Sequence, residues 1–219
     1  MGRMFKWIFL AVVILLLGIG FRQYNNYEKK REIREDALLY FKEEDYAKTI
    51  QYLEEALALR SLFAAGLNHD MTCYLAESHY QLKEYKEAEK IYDKLLSDDP
   101  KEAKYYELKG RCAREAGEQK RAVDIFEEGW ERTKDSEFLE DICDIYLEEG
   151  KYKKALNFTR QGIEAGGETL RQFMFQEVII YEKSQEYEKA YEAVCKYCEQ
   201  FPEDERGQRE KIFLSTRAA

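Results

Sequence analysis

From Lys30 to Pro202 the apolar residues recur three or four apart, the spacing of one face of a helix, in short stretches that resemble one another. EEDYAKTIQYLEEAL (Glu43 to Leu57), LKEYKEAEKIYDKLL (Leu82 to Leu96), EEGKYKKALNF (Glu148 to Phe158) and SQEYEKAYEAV (Ser184 to Val194) share one signature. Each has a Tyr three residues before a small residue, usually Ala, and then an apolar stripe at helical spacing. Aligned on that signature, Tyr46, Tyr85, Gln119, Tyr152 and Tyr187 form a column, spaced 39, 34, 33 and 35 residues apart. A period near 34 is that of a repeat architecture.

Three further columns follow from the same register. The small residue is Thr49, Ala88, Ala122, Ala155 or Ala190, and four residues later stands Leu53, Tyr92, Phe126, Thr159 or Val194. Twelve residues before the small column come Ala37, Ala76, Gly110, Cys143 and Val178, where small side chains would let two helices cross closely. The chain's two prolines, Pro100 and Pro202, both fall twelve residues after their small residue, where a second helix must end. The pattern predicts an all-α chain of helical hairpins, none of which can bury its stripe alone.

With these columns the chain resembles the tetratricopeptide repeat family, over about residues 30 to 204. The resemblance implies a right-handed α-α superhelix, a solenoid with a concave binding face, made here of five hairpins (30–68, 69–102, 103–135, 136–170 and 171–204). Gln119 replaces the turn aromatic, Pro is missing from units one, three and four, and about five residues are inserted near SLFAAGLNHD, residues 61 to 70. Residues 205–219 are expected to be a capping helix and tail, with Ile212, Phe213 and Leu214 packing on the last unit.

The amino-terminal segment, residues 1–22, is of another kind. Trp7 to Phe21 is an uncharged run of 15 residues, which as a helix spans roughly 22 Å against a hydrocarbon core of ~30 Å. Met4 and Phe5 can extend it while Lys6 and Arg22 reach the two interfaces. The expectation is a single-pass membrane anchor, followed by a short tether at 23–29. A cleaved signal ending at Phe21, after Gly18 and Gly20, is the alternative, and would leave a secreted soluble assembly subunit. Arg22, Lys29, Lys30, Arg31 and Arg34 after the span favour a cytoplasmic domain. A basic tail of six residues resists translocation, however, and on that ground the repeats are placed outside the cytoplasm.

Composition adds two exclusions and one conflict. From Gln23 onward, 32 Lys and Arg face 44 Asp and Glu, a formal charge of −12, which repels phosphate backbones and speaks against a nucleic-acid partner. Phosphate-loop, HExxH, GxSxG and dinucleotide patterns are absent, so no cofactor, metal or small-molecule substrate is called for. Five cysteines, an odd number, sit awkwardly with export.

Two groups are candidates for partner binding. Lys104, Arg111 and Arg114 share one face of the first helix of unit three and could grip an acidic segment. Alternatively they pair with Glu137, Asp144 and Glu148 of unit four. Phe175 and Ile179, four residues apart in unit five, could accept a partner's helix, or pack against the capping helix. A carboxylate clamp for chaperone tails is not expected, because its positions read Arg34, Leu38 and Tyr74.

The CKYC at Cys195 to Cys198 is the one paired-thiol motif. Its place near the end of a second helix, where the dipole raises a thiol pKa, favours structural cysteines over a redox pair. Cys112 and Cys143 fall on core columns, Cys73 on a groove face, and His79 is expected in the core. The function these features point to is a non-catalytic, membrane-tethered scaffold that binds a protein or peptide in its groove. A thiol redox or sensor protein using Cys195 and Cys198 is the alternative.

Overall fold

A computed structural model describes residues 2–218, and the side chains of residues 6–218. Eleven helices and no strands occur among the described residues: α1 (Gly2–Lys42), α2 (Tyr46–Ala58), α3 (Ala65–Gln81), α4 (Tyr85–Asp98), α5 (Ala103–Glu115), α6 (Gln119–Thr133), α7 (Glu137–Glu148), α8 (Tyr152–Ala165), α9 (Leu170–Lys183), α10 (Tyr187–Gln200) and α11 (Glu205–Ser215). They fall into two compact units, residues 1–98 and 99–219.

One turn is used five times. The residue two before the aligned column has a left-handed backbone in every hairpin: Glu44, Lys83, Gly117, Gly150 and Gln185, with φ between 60° and 78°. The next amide then donates back across the turn, Asp45 to Tyr40, Glu84 to His79, Glu118 to Ala113, Lys151 to Tyr146 and Glu186 to Tyr181, at 2.8 to 2.9 Å. Glycine carries this φ without a Cβ clash at two sites. The other three use Glu, Lys and Gln, which sit there less readily. Gln119 therefore keeps the register despite lacking the aromatic ring.

The columns become the core. Thr49, Ala88, Ala122, Ala155 and Ala190 are fully buried, as are Ala37, Ala76, Cys143 and Val178. Gly110, also buried, faces the ring of Phe126, and Cys143 Sγ donates to the Ala155 carbonyl across the crossing at 3.2 Å. Small side chains at both columns set this close approach, and the larger residues four positions on fill the space beyond. The helices α4 and α10 stop at Asp98 and Gln200, two residues short of Pro100 and Pro202.

In the first unit, α1 is a single helix of 41 residues, roughly 60 Å at ~1.5 Å per residue. Its apolar part stands free: Trp7, Phe9, Leu17 and Phe21 are all about two-thirds exposed. The side chains of Arg3, Met4 and Phe5, on which an extended run depends, lie outside the described residues. Residues 23–29, read from sequence as a tether, are turns of this same helix, and from Lys30 onward it is the first helix of hairpin one. Ile33 and Ala37 are buried against Leu53, Ala56, Met71 and Leu75. Lys30 donates to Asn68, and Arg34 pairs with Asp70 at 2.6 Å. A lysine that the charge pattern would place outside is thus enclosed.

In the second unit, three hairpins stack in order and α11 closes α10. The expected packing of Ile212 and Phe213 is not what the structure has: they are 70% and 44% exposed, while Leu214 is fully buried. Gly207 lies against the Tyr197 ring, and seven residues, about two turns, bring Leu214 onto that same face. Asp204 caps α11 by accepting from the amides of Arg206 and Gly207.

Candidate functional site

The second unit carries a groove along its first helices, α5, α7 and α9, built from three adjoining depressions. The largest, about 510 Å³, is lined by Lys104 and Glu107 of α5, by Glu137, Glu140, Asp141 and Asp144 of α7, and by Gln172 of α9, with Glu102 and Asp135 in the loops. Arg111, Arg114, Gln119, Asp141 and Glu148 line the second. The third holds Glu140, Asp144, Gln172, Phe175, Ile179 and Arg206. Asp141 is common to the first and second, and Glu140, Asp144 and Gln172 to the first and third, so the three are continuous.

Every binding residue expected from the sequence lines this groove, and Arg114 has one of the unit-four partners that the sequence offered it. Arg114 Nη2 sits 2.5 Å from Glu148 Oε1, across from α5 to α7. Arg111 lies 3.5 Å from Glu107 on its own helix. Lys104 is exposed and stands among seven carboxylates that line the same depression. The balance of charge in the groove is therefore acidic, and the capture of an acidic segment by these bases is opposed by their neighbours.

At the far end, Phe175 is buried. The Arg206 guanidinium covers its ring, 3.6 Å from the centroid, and Tyr197 meets its edge at 5.2 Å. Tyr197 in turn donates to Asp204 at 2.6 Å. The packing of Phe175 against α11 thus runs through Arg206, and Ile179, half-buried, is the apolar side chain left at the surface of the groove.

Electrostatics single out α7. Burial pushes the Asp141 carboxyl up to about 6, with Glu107 adding to the rise and Arg114 opposing it. Asp144 and Glu140 are also raised, by burial first, then by Glu148 for Asp144 against the pull of Arg114, and by Asp144 and Glu137 for Glu140. Gln176 donates to Asp144 at 3.4 Å. One oxygen each of Glu140 and Gln119 is buried without a hydrogen-bond donor. A site with unmet acceptors and carboxylates held above their ordinary range is stabilised by donors and positive charge.

Glu140, Asp141 and Gln172 were not singled out by the sequence reading. A signal existed: from Asp135 to Gly150 the chain contains no Lys or Arg. What the sequence could not give is which of those acids lie inward, since a helix exposes several faces to solvent.

The thiols stand apart from the groove. All five cysteines are free; Cys112, Cys143 and Cys198 are buried, Cys73 and Cys195 half-buried. Burial raises the Cys198 thiol. His79 is 13% exposed and bonded to the Glu84 carboxylate at 2.6 Å, so it belongs to the turn of its hairpin rather than to the core. No cluster suited to a metal ion occurs among the described residues.

Residues 40–112 match the tetratricopeptide repeat family model. No curated protein matches the sequence. Among solved structures, a tetratricopeptide repeat protein from Parabacteroides merdae is similar with a TM-score of 0.59 at 17% identity, covering 87% of this chain and 73% of that one. The C-terminal part of a repeat-containing protein from Cytophaga hutchinsonii gives 0.61 at 19%, covering 84% and 70%. YrrB, described as a TPR protein with an unusual peptide-binding site, gives 0.52 at 17%, covering 82% and 90%. Identities this low carry the fold and say nothing of ligands. Together with the five-fold turn and the buried columns, they show a fold similar to that of tetratricopeptide repeat proteins, preceded by an exposed apolar stretch of helix at the amino terminus.

Proposed function

We propose that this protein is a membrane-tethered, non-catalytic scaffold, whose amino-terminal helix crosses the bilayer and whose second unit holds a segment of a partner protein in the groove of α5, α7 and α9. The observation that carries the reading is the groove itself, continuous over three first helices, with unpaired buried acceptors at Glu140 and Gln119. Lys104, Arg111 and Arg114 border it and steer register by pairing with acids. Phe175 and Ile179 form its apolar end. The occupant that suits this lining is an extended or helical segment bearing Lys or Arg, with an apolar residue set against Ile179. YrrB offers a precedent only in that a peptide-binding site is described for it.

The thiol alternative has less behind it. The buried Cys198, with its thiol raised, lacks the lowered pKa that a nucleophilic pair requires.

A photo-crosslinking residue at Gln172 or Ile179, compared with one at exposed Lys153 on α8, tests the groove in native membranes. Adducts are expected from the first two positions and their loss on Asp141→Lys. Equal labelling from Lys153, or adducts indifferent to Asp141→Lys, would remove the groove. Alkaline carbonate extraction tests the tether: recovery of the full chain in the supernatant, or a mature amino terminus beyond Phe21, would remove it.

A further inference from the structure

We propose that the loop between α2 and α3, residues 59–64, is a second membrane contact, which lays Leu62 and Phe63 into the interfacial layer beside the anchor helix. The inference rests on the reading of α1 as a span and adds to it a surface on the folded repeats.

Three observations meet here. The loop is fixed to α1 at the point where its apolar run ends. Ser61 Oγ donates to the Gln23 carbonyl at 3.0 Å, the Leu62 amide donates to Gln23 Oε1 at 3.0 Å, and Asn26 Nδ2 donates to the Arg60 carbonyl at 2.8 Å. Gln23 is two residues beyond Phe21, so the Leu62 backbone is held within one helical turn of the exposed run. Second, Leu62 and Phe63 are 81% and 64% exposed, while Ala64, the next residue, is fully buried. The loop is thus anchored on both sides and turns its two largest apolar side chains outward. Third, the surrounding groups are those of a membrane interface: Arg22 and Arg60 are exposed, and Tyr24 is 55% exposed on α1 at the same level.

The extra residues of repeat one have a place in this arrangement. The spacing from Tyr46 to Tyr85 is 39 residues, against 33 to 35 elsewhere. Besides this loop, the surplus goes into α3, which has 17 residues where α5, α7 and α9 have 12 to 14. An added loop that exposed Leu and Phe to water would oppose solubility; one that meets lipid extends the anchor sideways. With a helix and a loop both engaged, the first unit would be held at a fixed tilt rather than swinging on a single stem.

The test uses the full chain in vesicles of phosphatidylcholine and phosphatidylglycerol, with lipids brominated near the glycerol end of the acyl chains as quenchers. In a Trp130→Phe background, Trp7 reports the span. In a Trp7→Phe, Trp130→Phe background, an indole introduced by Phe63→Trp reports the loop; the site is exposed, and circular dichroism checks that the fold is kept. Both emissions are expected to fall in brominated vesicles relative to unbrominated ones. Quenching at Trp7 with none at the Phe63→Trp indole overturns the loop contact and leaves the anchor standing. Absence of quenching at Trp7 overturns the anchor, and the inference with it. A blue-shifted but unquenched loop indole would mean that protein, such as a second copy of the chain, covers the loop, and also overturns the inference.

Discussion

The ring of Phe126 stands 2.2 Å from the point where a Cβ on Gly110 would be. Phe126 is fully buried, so the ring has nowhere to go. Gly110→Ala sets a gain in helix propensity of ~1 kcal/mol against overpacking of about 1–3 kcal/mol, and the clash should win because three ring atoms lie within 2.7 Å. The same replacement at Gly66, in the first turn of α3, meets nothing within 4 Å and should stabilise by up to ~1 kcal/mol. Thermal unfolding in detergent is expected to move in opposite directions for the two variants. A Gly110→Ala protein that melts no lower than the parent would show that the helix crossing yields to an added methyl group.

Asp141 gives the groove a pH signature. Its carboxyl, raised by burial to about 6, holds a proton more tightly folded than unfolded, where it titrates near 3.9. Its ionisation therefore costs stability as pH rises from about 4 through 6, and the cost persists above. Asp141→Asn should raise the melting temperature at pH 7.5, and the advantage should fade toward pH 4.5. A difference that is constant across that range would mean the side chain is solvated in both states. In partner binding the sign reverses: a Lys or Arg beside Asp141 favours the ionised form, so capture should strengthen as pH climbs past about 6.

The capping helix has a similar dependence. Glu182 of α9 is raised to about 7 by burial and by a hydrogen bond with Glu210 of α11. One shared proton joins the two helices. A raised acid contributes its full stabilisation below its unfolded value and loses it as pH rises through the folded one, here near neutrality. Amide exchange in residues 205–215, corrected for intrinsic rate, should quicken relative to α9 between about pH 5 and 7 and level off above. Glu182→Gln, which keeps a donor at every pH, should abolish that change. If exchange in α11 shows no such dependence in the parent chain, the packing of Leu214, Gly207 and Arg206 holds the helix without that proton.

These dependences bear on how far the sequence could be read. The columns at Thr49 to Ala190 and Ala37 to Val178 were visible because a helix crossing admits only small side chains, a constraint that acts on residue type. Glu44, Lys83 and Gln185 were not visible as turn residues, since a left-handed φ there is imposed by the packed helices on either side rather than chosen by the residue. Ile212 and Phe213 misled for a related reason: adjacent apolar residues on one helix cannot all face the same neighbour, and the hydrophobic pattern does not say which wins. In the groove, Lys104, Arg111, Arg114, Phe175 and Ile179 were placed on the right face by periodicity. The pairing of Arg114 with Glu148, 34 residues away, was among the alternatives that the charges offered, but that Arg111 turns to Glu107 on its own helix and that Lys104 stands among acids of several elements is invisible until the helices are stacked.

The cysteines allow a final test that bears on the choice between scaffold and thiol chemistry. Cys143 Sγ is enclosed between the Ala155 carbonyl at 3.2 Å and the Thr159 hydroxyl at 3.1 Å, and burial pushes its thiol up to about 12 despite the Thr159 hydrogen bond. At neutral pH that leaves roughly a thousandfold less thiolate than an ordinary cysteine would have. Iodoacetamide with mass-spectrometric mapping of the folded protein should modify half-buried Cys73 and Cys195 first, and Cys112, Cys143 and Cys198 only on unfolding. A redox pair requires the contrary at one of its members: a thiolate favoured by its surroundings and open to attack. Rapid alkylation of Cys198 in the folded chain would therefore reverse the assignment of the CKYC segment from packing to chemistry, because a thiol raised by burial beside Gly207 and Tyr197 cannot react that way while α11 stays docked.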